Sequence, residues 1–310
     1  MQWLTSVPNF NFMKYRRAAL VGSAVATVAS ILAVLIMGLN LGIDFTGGVI
    51  LEARYPGEAD LSGIRSDLEA AGFEGAQVQT FGSTSEVLIR LPPLGDVADA
   101  QGTQAQLLDI LRAREPNVEL DPVVAMGGQV GSDLAESAAM ALLMALLMIF
   151  IYVALRFRWK LAIGSIVATI HDVIVTIGVF AIFQWPFDLT VLGSVLAVLG
   201  YSLNDTIVVY DRIRDNFRLM RRGTPIEIVN ASVNQTLART LVTGVTSLLV
   251  LIALTWLGGE TLRWFAVALI IGILVGTYSS IYVASAMALA LKVTPADLMP
   301  AKRAEVDELP

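Results

Sequence analysis

The sequence has no cysteine, a single histidine and few charged residues, and each shortage excludes a class of chemistry. Without cysteine there are no disulfides and no thiolate metal sites, and His171 alone cannot make a histidine-rich site. Neither G-x-x-x-x-G-K-[ST] nor G-x-G-x-x-G occurs, so the chain has no recognisable nucleotide-binding loop. We therefore expect no metal, no cofactor and no enzyme activity. Energy-driven work must draw on a partner or an ion gradient.

Only 15% of the 310 residues are charged, whereas 55% are hydrophobic and the mean hydropathy is +0.69. This composition is too apolar for an ordinary soluble domain. A helix needs about 18 to 25 apolar residues to cross a hydrocarbon layer about 30 Å thick. The segments that reach this length are 18–39, 133–155, 161–183, 189–210, 237–257 and 264–291. The pattern predicts a polytopic α-helical membrane protein with six transmembrane helices.

The basic residues indicate how these spans are oriented. Four clusters, within 14–17, 156–160, 212–222 and 292–303, hold 14 of the 21 lysines and arginines. They fall on one side if six spans alternate, and the positive-inside rule places that side, with both termini, in the cytoplasm. A cleaved signal peptide is the alternative for the first stretch, but the stretch is too long and no clear small-x-small site precedes Asp44.

This orientation divides the chain into five parts. Residues 1–17 form a cytoplasmic N-terminal segment and 18–39 the first transmembrane helix. Residues 40–132 form a domain outside the cytoplasm, 133–291 the other five helices, and 292–310 a cytoplasmic tail. The inserted domain has 14 acidic and 5 basic residues, which argues against binding to anionic lipid or nucleic acid.

The inserted domain has an alternating pattern of strands and helices. A strand at 48–56 precedes a helix at 61–73, strands at 76–84 and 85–93, a helix at 105–115 and a strand at 117–126. The order β-α-β-β-α-β is that of the ferredoxin-like α+β fold. A rigid spacer and a substrate-handling module are both compatible with it, because fold alone does not determine function.

Ionisable side chains inside the spans are the main functional candidates, since each costs about 2.5 to 3.5 kcal/mol in hydrocarbon. Asp205 lies in the cytoplasmic half of the fourth span, and Arg239 lies near the cytoplasmic start of the fifth. We expect them to meet across a helix interface, where a nearby cation changes the pKa of the carboxyl and lets it load and unload a proton. A hydrogen-bond seam that only holds the bundle together is the alternative.

The surroundings of this pair are polar. Thr236, Thr240, Thr243 and Ser247 recur at helical spacing and predict one polar stripe beside Arg239. The basic segment 211–223 is predicted as a loop, and the amphipathic segment 225–237 as a helix along the cytoplasmic membrane surface.

Three further polar residues in the spans have open roles. His171 and Asp172 are adjacent in the third span and point about 100° apart, so proton transfer and structural hydrogen bonding are both possible for them. Asn204 either tunes Asp205 or joins a seam between helices.

Five motifs in the same order resemble those of the SecF family, the smaller membrane subunits of the SecDF accessory complex of the bacterial Sec pathway. They are FNFMKYRR (10–17), GIDFTGG (42–48), HDVIVTIG (171–178), GYSLNDTIVVYDRIRDNF (200–217) and VNQTLARTLVTGVTSLL (233–249). The second motif supplies the family signature residues Gly42, Asp44, Phe45, Thr46, Gly47 and Gly48.

The resemblance implies a half-transporter of the resistance-nodulation-division superfamily in the bacterial inner membrane, with a periplasmic inserted domain. It implies pairing with SecD and use of proton motive force to help draw preproteins from the SecYEG translocon, with YajC and YidC as further candidate partners. In this family the residues at Asp205 and Arg239 are tied to proton conduction, and a third carboxylate belongs to SecD. An aspartate can serve protons or sodium ions, so the coupling ion stays open.

Three other functions are compatible with parts of the sequence. A lipid or drug exporter of the same superfamily usually has two such halves in one chain and larger outer domains. A non-transporting membrane scaffold would use Asp205 and Arg239 as a structural pair only. An intramembrane aspartyl protease is suggested by the pair Tyr210 and Asp211, but no G-x-G-D follows on a later span.

Overall fold

The computed structural model of the protein describes residues 8–73, 75–81, 83–92, 100–122, 124–220 and 223–294. Residues 1–7 of the predicted N-terminal segment and 295–310 of the predicted tail lie outside this part. In chain order the elements are α1 (Arg16–Met37), β1 (Asn40–Leu41), α2 (Ile43–Thr46), β2 (Gly48–Arg54), α3 (Leu61–Ala70), β3 (Gln77–Phe81), β4 (Ser83–Leu91), α4 (Ala100–Arg114), β5 (Glu119–Leu120), β6 (Val124–Met126), α5 (Gly128–Arg156), α6 (Trp159–Phe183), β7 (Pro186–Phe187), α7 (Leu189–Leu219), α8 (Pro225–Leu257), α9 (Gly259–Ser279) and α10 (Ser285–Ala290).

Six helices in the described chain are long and apolar enough to cross a membrane, which confirms the predicted polytopic fold. They are α1, α5, α6, α7, α8 and a sixth span that continues from α9 through a π-helical stretch, Ser280–Ala284, into α10. The central spans are α6, α7 and the last one: 50%, 56% and 50% of their most apolar stretches are buried, against 17%, 11% and 17% for α1, α5 and α8. Since α7 carries Asp205, the candidate site lies in the most enclosed part of the bundle.

The predicted loop over 211–223 is wrong for 211–219, and the helix predicted over 225–237 is present but is not a separate helix on the membrane surface. α7 continues to Leu219, and α8 runs unbroken from Pro225 to Leu257. The side chain of Ile228 and its neighbours join the core that α7 also lines, so the apolar face of this segment packs on protein and not on lipid. The residues of α8 that do so are Ile228, Val229 and Val233.

A capping box fixes the start of α8. The Thr224 hydroxyl accepts a hydrogen bond from the Glu227 backbone N–H, and the Glu227 carboxylate accepts one from the Thr224 N–H. These bonds satisfy two backbone donors that the first helical turn leaves without partners, and Pro225 needs none. The helix therefore begins well before the apolar stretch that marks the fifth span in the sequence.

Residues Gly48–Met126 form an α+β unit, which we call the sheet domain. Its strands have the order β3-β4-β2-β5, β6 also pairs with β2, and all neighbours are antiparallel. The helices α3 and α4 pack on the sheet through a core that includes Leu51, Ile64, Leu68, Ile89 and Leu107. This is the predicted ferredoxin-like order. The single predicted last strand is two short ones, because Pro122 stands between them and has no N–H to donate.

Candidate functional site

Asp205 lies where α7 and α8 face each other. The residue is only 3% exposed, and the Thr240 hydroxyl of α8 donates a hydrogen bond of 3.4 Å to its Oδ1. The other carboxyl oxygen, Oδ2, is buried and has no hydrogen-bond partner among the described residues. An unsatisfied buried polar atom is costly and needs a physical explanation. Here the open oxygen is a place where a proton or a water molecule can bind.

Asp205 and Arg239 do not form the direct contact that the sequence predicts. Among the described residues no salt bridge joins them, and Arg239 is exposed on the outer surface of α8. Adjacent helical residues point about 100° apart, so a helix that turns Thr240 towards α7 directs Arg239 away from it. The guanidinium still lies close enough to act on the Asp205 carboxyl group through space.

The polar stripe on α8 contributes one side chain to this site. The hydroxyls of Thr236 and Thr243 donate to backbone carbonyls of their own helix. Thr240 is buried and is the threonine of this stripe that reaches across to α7. Of the two predicted support residues on α8, the structure therefore brings Thr240 to Asp205 and leaves Thr243 bound to its own backbone.

Tyr201 belongs to the site, although the sequence did not single it out. It precedes Asp205 by one turn on the same face of α7, and it interacts with that carboxylate through space. Its buried hydroxyl has no well-formed hydrogen bond within the described chain, although Ser247 lies beside it. A Cβ on Gly244 would lie 3.6 Å from that hydroxyl oxygen, so the ring end faces the α8 backbone. The sequence signal for this is that Tyr201 stands four residues before Asp205 in GYSLND, which places both on one helix face.

Asp172 differs from Asp205 in that both of its carboxyl oxygens have hydrogen-bond partners. It is fully buried at 0% exposure, and its Oδ1 lies 2.9 Å from His171 Nδ1, which donates in the tautomer that carries its proton there. Its Oδ2 accepts hydrogen bonds from the hydroxyls of Ser202 on α7 and Ser279 on α9, the latter at 2.7 Å. Neither oxygen is left open. Asp172 thus links the three central spans as a hydrogen-bonded hub, which supports the structural role for it and His171.

The side of α7 that faces away from Asp205 is fixed by the π-helical stretch of the last span. The Tyr210 hydroxyl donates a 2.7 Å hydrogen bond to the Ala284 carbonyl, and the hydroxyls of Thr206 and Ser280 lie 3.0 Å apart. π-helical stretches interrupt the regular backbone ladder and recur near functional sites. Asp211, which follows Tyr210 in the chain, forms an ion pair with Arg156. Tyr210 and Asp211 therefore have separate structural partners.

Asn204 faces out of the bundle. Asn204 is exposed and stands at the end of an exposed stripe on α7 that is otherwise made of small residues. The stripe consists of Gly193, Ala197, Gly200 and Asn204, and a Cβ on either glycine would have no atom within 4 Å. The spacing i, i+4, i+7, i+11 places them on one helix face. Small residues at such spacing allow another helix to approach closely in a membrane. Asn204 thus does not contact Asp205, and it lies where a neighbouring helix would pack.

The signature motif at 42–48 ties the sheet domain to the bundle. β1 pairs in parallel with β7, and the Gly42 N–H donates to the Phe187 carbonyl at 2.9 Å. Gly47 and Gly48 have φ values of +69° and +127°, which residues with a side chain rarely adopt. A Cβ on Gly47 would lie 2.6 Å from the Gly128 Cα, so the glycines allow the start of the sheet domain to touch the start of α5.

The other signature residues reach the start of α7. Asp44 Oδ2 accepts a 3.0 Å hydrogen bond from the Leu189 backbone N–H, and the Phe45 ring stacks on Phe187 with centroids 6.2 Å apart. The Thr46 hydroxyl closes the turn on the carbonyls of its own motif. The motif therefore binds the N-terminus of the helix that carries Asp205, a role that 145 residues of separation hide in the sequence.

Asp188 completes this junction. Its carboxylate caps α7 by accepting a 2.8 Å hydrogen bond from the Val191 N–H. Burial, together with the neighbouring Asp44 charge, raises the pKa of Asp188, while Arg90 of the sheet domain acts in the opposite direction. Residues from α7, from the motif and from the sheet domain thus interact at one point.

Two family models match the chain. The model described as "Protein export membrane protein SecD/SecF, C-terminal" covers residues 106–294, and the SecD/SecF GG motif model covers residues 32–55. The second match contains the signature motif that joins the sheet domain to α7. The first contains the buried polar residues of the spans described above, from His171 to Ser280.

Curated relatives match over nearly their full length. The protein translocase subunit SecF of Vibrio alginolyticus is 45% identical over 100% of this chain and 99% of its own. The subunit of the same name from Escherichia coli O157:H7 is 44% identical over 91% of this chain and 88% of its own.

Solved structures show the same fold. The crystal structure of SecDF from Thermus thermophilus, a translocon-associated membrane protein, is 39% identical over 94% of this chain, with a TM-score of 0.84. A SecDF structure in a super-membrane-facing form has a TM-score of 0.68 at the same identity. The chain spans 39% of each of those longer chains, so it corresponds to part of a SecDF molecule. From these matches, the chain belongs to the SecD/SecF family of protein export membrane proteins and, within it, to the SecF subunits.

Proposed function

We propose that the chain is one half of a SecDF-type complex that uses proton motive force, together with a SecD subunit, to assist late translocation of preproteins from the SecYEG channel. The observation that carries this proposal is the half-satisfied carboxyl of Asp205. One of its oxygens is held by Thr240 and the other is buried without a partner. Such a group gains a favourable bond when a proton arrives and loses it when the proton leaves.

Arg239 supplies the charge that responds to this proton. It interacts with Asp205 through space and lies on the outer surface of α8. A cation inside a span faces a polar partner and not lipid, because its exposure to hydrocarbon is costly. The SecD subunit is the partner that presents a carboxylate there. The stripe of small residues that ends at Asn204 is the adjoining contact face on α7.

The junction at the signature motif carries the effect outwards. Asp44 holds the N-terminus of α7 and belongs to the segment that leads into β2, so a shift of α7 on proton uptake moves the root of the sheet domain. We place this domain in the periplasm, where it handles the emerging preprotein, and both termini in the cytoplasm of a bacterial inner membrane. YajC and YidC are further candidate neighbours.

The experiment is Asp205→Asn in the chain co-expressed with its SecD subunit. Preprotein export into inverted membrane vesicles is measured with and without a proton gradient, in sodium-free buffer. The amide keeps the size of the side chain but cannot exchange a proton, so assembly is retained and stimulation by the gradient falls to background. Asp215→Asn on the same helix, with the same charge change, leaves stimulation intact.

Two results contradict the proposal. If the proton gradient fully stimulates export by an assembled Asp205→Asn complex, the scaffold alternative is supported. Stimulation of the wild type that requires sodium ions identifies sodium as the coupling ion.

A further inference from the structure

A groove of about 550 Å³ opens at the end of the bundle where α1 and α8 begin and the last span ends. It is separate from the Asp205 site. Its floor is apolar and consists of Leu20, Ile226, Ala286, Leu289 and Val293. These side chains belong to the ends of three spans or follow them directly, so the groove lies at the depth where lipid headgroups meet acyl chains.

The rim of the groove is cationic. Arg16, Arg17 and Lys292 line it, and no acidic residue does so in the described chain. None of the three makes an ion pair with a described residue. Lys292 has a φ of +52° where the last helix ends, and its carbonyl, not its ammonium group, is engaged by Lys160 at 3.0 Å.

The helix start beside the rim adds no acidic side chain to the lining, and Glu227, its first acid, forms no ion pair with the three cations among the described residues. Thr224 and Pro225 also line the groove, but the capping box engages the Glu227 carboxylate with the Thr224 N–H at 2.8 Å. The anion-binding capacity therefore rests on the three side chains and not on the N-terminus of α8. An anion held here finds positive charge on the rim and hydrocarbon directly beneath it.

We propose that this groove binds one anionic phospholipid of the cytoplasmic leaflet, with its phosphate between Arg17 and Lys292 and an acyl chain along the apolar floor. Basic pockets between spans on the cytoplasmic side suit anionic headgroups, and that leaflet carries a negative surface potential. A soluble anion would use the rim but leave the apolar floor exposed. The lipid bridges the first and last spans with α8, the helix that bears Thr240 and Arg239.

The test compares lipid retention by the purified full chain and the double variant Arg17→Gln/Lys292→Gln. Arg16 is left unchanged because its guanidinium also holds the Met13 carbonyl. Native mass spectrometry follows titration with dioleoyl phosphatidylglycerol, with dioleoyl phosphatidylcholine as the neutral arm and glycerol phosphate as the soluble arm. The matched control, Lys14→Gln/Arg218→Gln, removes the same charge from exposed residues outside the groove.

The wild type and the control bind one phosphatidylglycerol, and the double variant binds it about thirtyfold more weakly, the loss that two interfacial cations account for. An unchanged thermal midpoint shows that the variant is folded. Equal binding of phosphatidylglycerol by the double variant, or binding of phosphatidylcholine as tight as that of phosphatidylglycerol, overturns the proposal. So does equally tight binding of glycerol phosphate, which identifies a site for soluble phosphate.

Discussion

Asp205 and Asp172 are both buried acidic residues in the central spans, but their hydrogen bonds give them different chemistry. Asp172 accepts hydrogen bonds on both oxygens from residues of three helices, which hold the side chain in one position. Asp205 has one weak donor and one open oxygen, so neither protonation state is fully satisfied. A carboxyl group that must take up and release a proton during a cycle is expected to have an environment like that of Asp205.

Asp172→Asn tests this difference. The amide nitrogen cannot accept hydrogen bonds, so donors from His171 or from the two serines lose their acceptor, at a cost of about 1–3 kcal/mol for an unsatisfied buried group. We expect a lower thermal midpoint of the purified complex and retained stimulation of export by the gradient, each measured beside the wild type. Lost stimulation with an unchanged midpoint would place Asp172 in the proton path instead.

The sequence identifies Asp205 because a charge inside an apolar stretch is conspicuous, but it does not identify the contact. Which of Thr240 and Arg239 meets Asp205 depends on the rotation of α8 about its axis, and the polar stripe is too broad to determine it. The serines at Asp172 are equally hidden, since nothing in the pattern relates Ser202 to Ser279. The through-space interaction of Arg239 with Asp205 preserves part of the predicted pair in a different geometry.

Among the elements, α7 is the one that connects the functional parts. Its N-terminus is held by Asp44, one face carries Asp205 towards α8, another packs on the π-helical stretch, and the stripe from Gly193 to Asn204 is open. A helix whose N-terminus and two faces are engaged, and whose face of small residues is left open, is suited to receive a second membrane subunit.

Gly200→Leu tests this open face. The added side chain fills the space that close helix approach needs, and overpacking of about 1–3 kcal/mol lowers recovery of a co-purified SecD subunit by roughly tenfold. Gly22→Leu on α1 is the matched control, because a Cβ at either glycine has no atom within 4 Å. Equal recovery of SecD with both variants, at equal membrane insertion, would show that this stripe is not the contact face.

Apolar length and strand alternation are enough to predict the spans and the order of the sheet domain. The C-terminal end of α7 and the start of α8 are not predictable in this way, because these extensions beyond the apolar stretches are stabilised by tertiary packing of Ile228 and its neighbours and not by an unbroken apolar run. The pairing of β1 with β7 joins two-residue strands that have no periodicity to detect.

For the molecule as a whole, the comparison structures indicate that this architecture has more than one arrangement. Two SecDF structures match the chain at the same identity and coverage, yet the TM-scores are 0.84 and 0.68. The arrangement of this chain is closer to that of the Thermus thermophilus structure than to that of the super-membrane-facing form. The sheet domain is joined to α7 through Asp44 and to α5 through the close contact at Gly47, and these two joints at its root are compatible with movement of the domain as a unit.

If a proton reaches and leaves Asp205 in each cycle, proton flux through the whole complex depends on that carboxyl group. The chain and its SecD subunit are reconstituted in vesicles with a trapped pH indicator, and flux is recorded for the wild type, Asp205→Asn and Asp172→Asn, which make the same change to two buried aspartates. We expect loss of flux in Asp205→Asn and near wild-type flux per folded complex in Asp172→Asn. Wild-type flux through Asp205→Asn would show that Asp205 does not carry the proton.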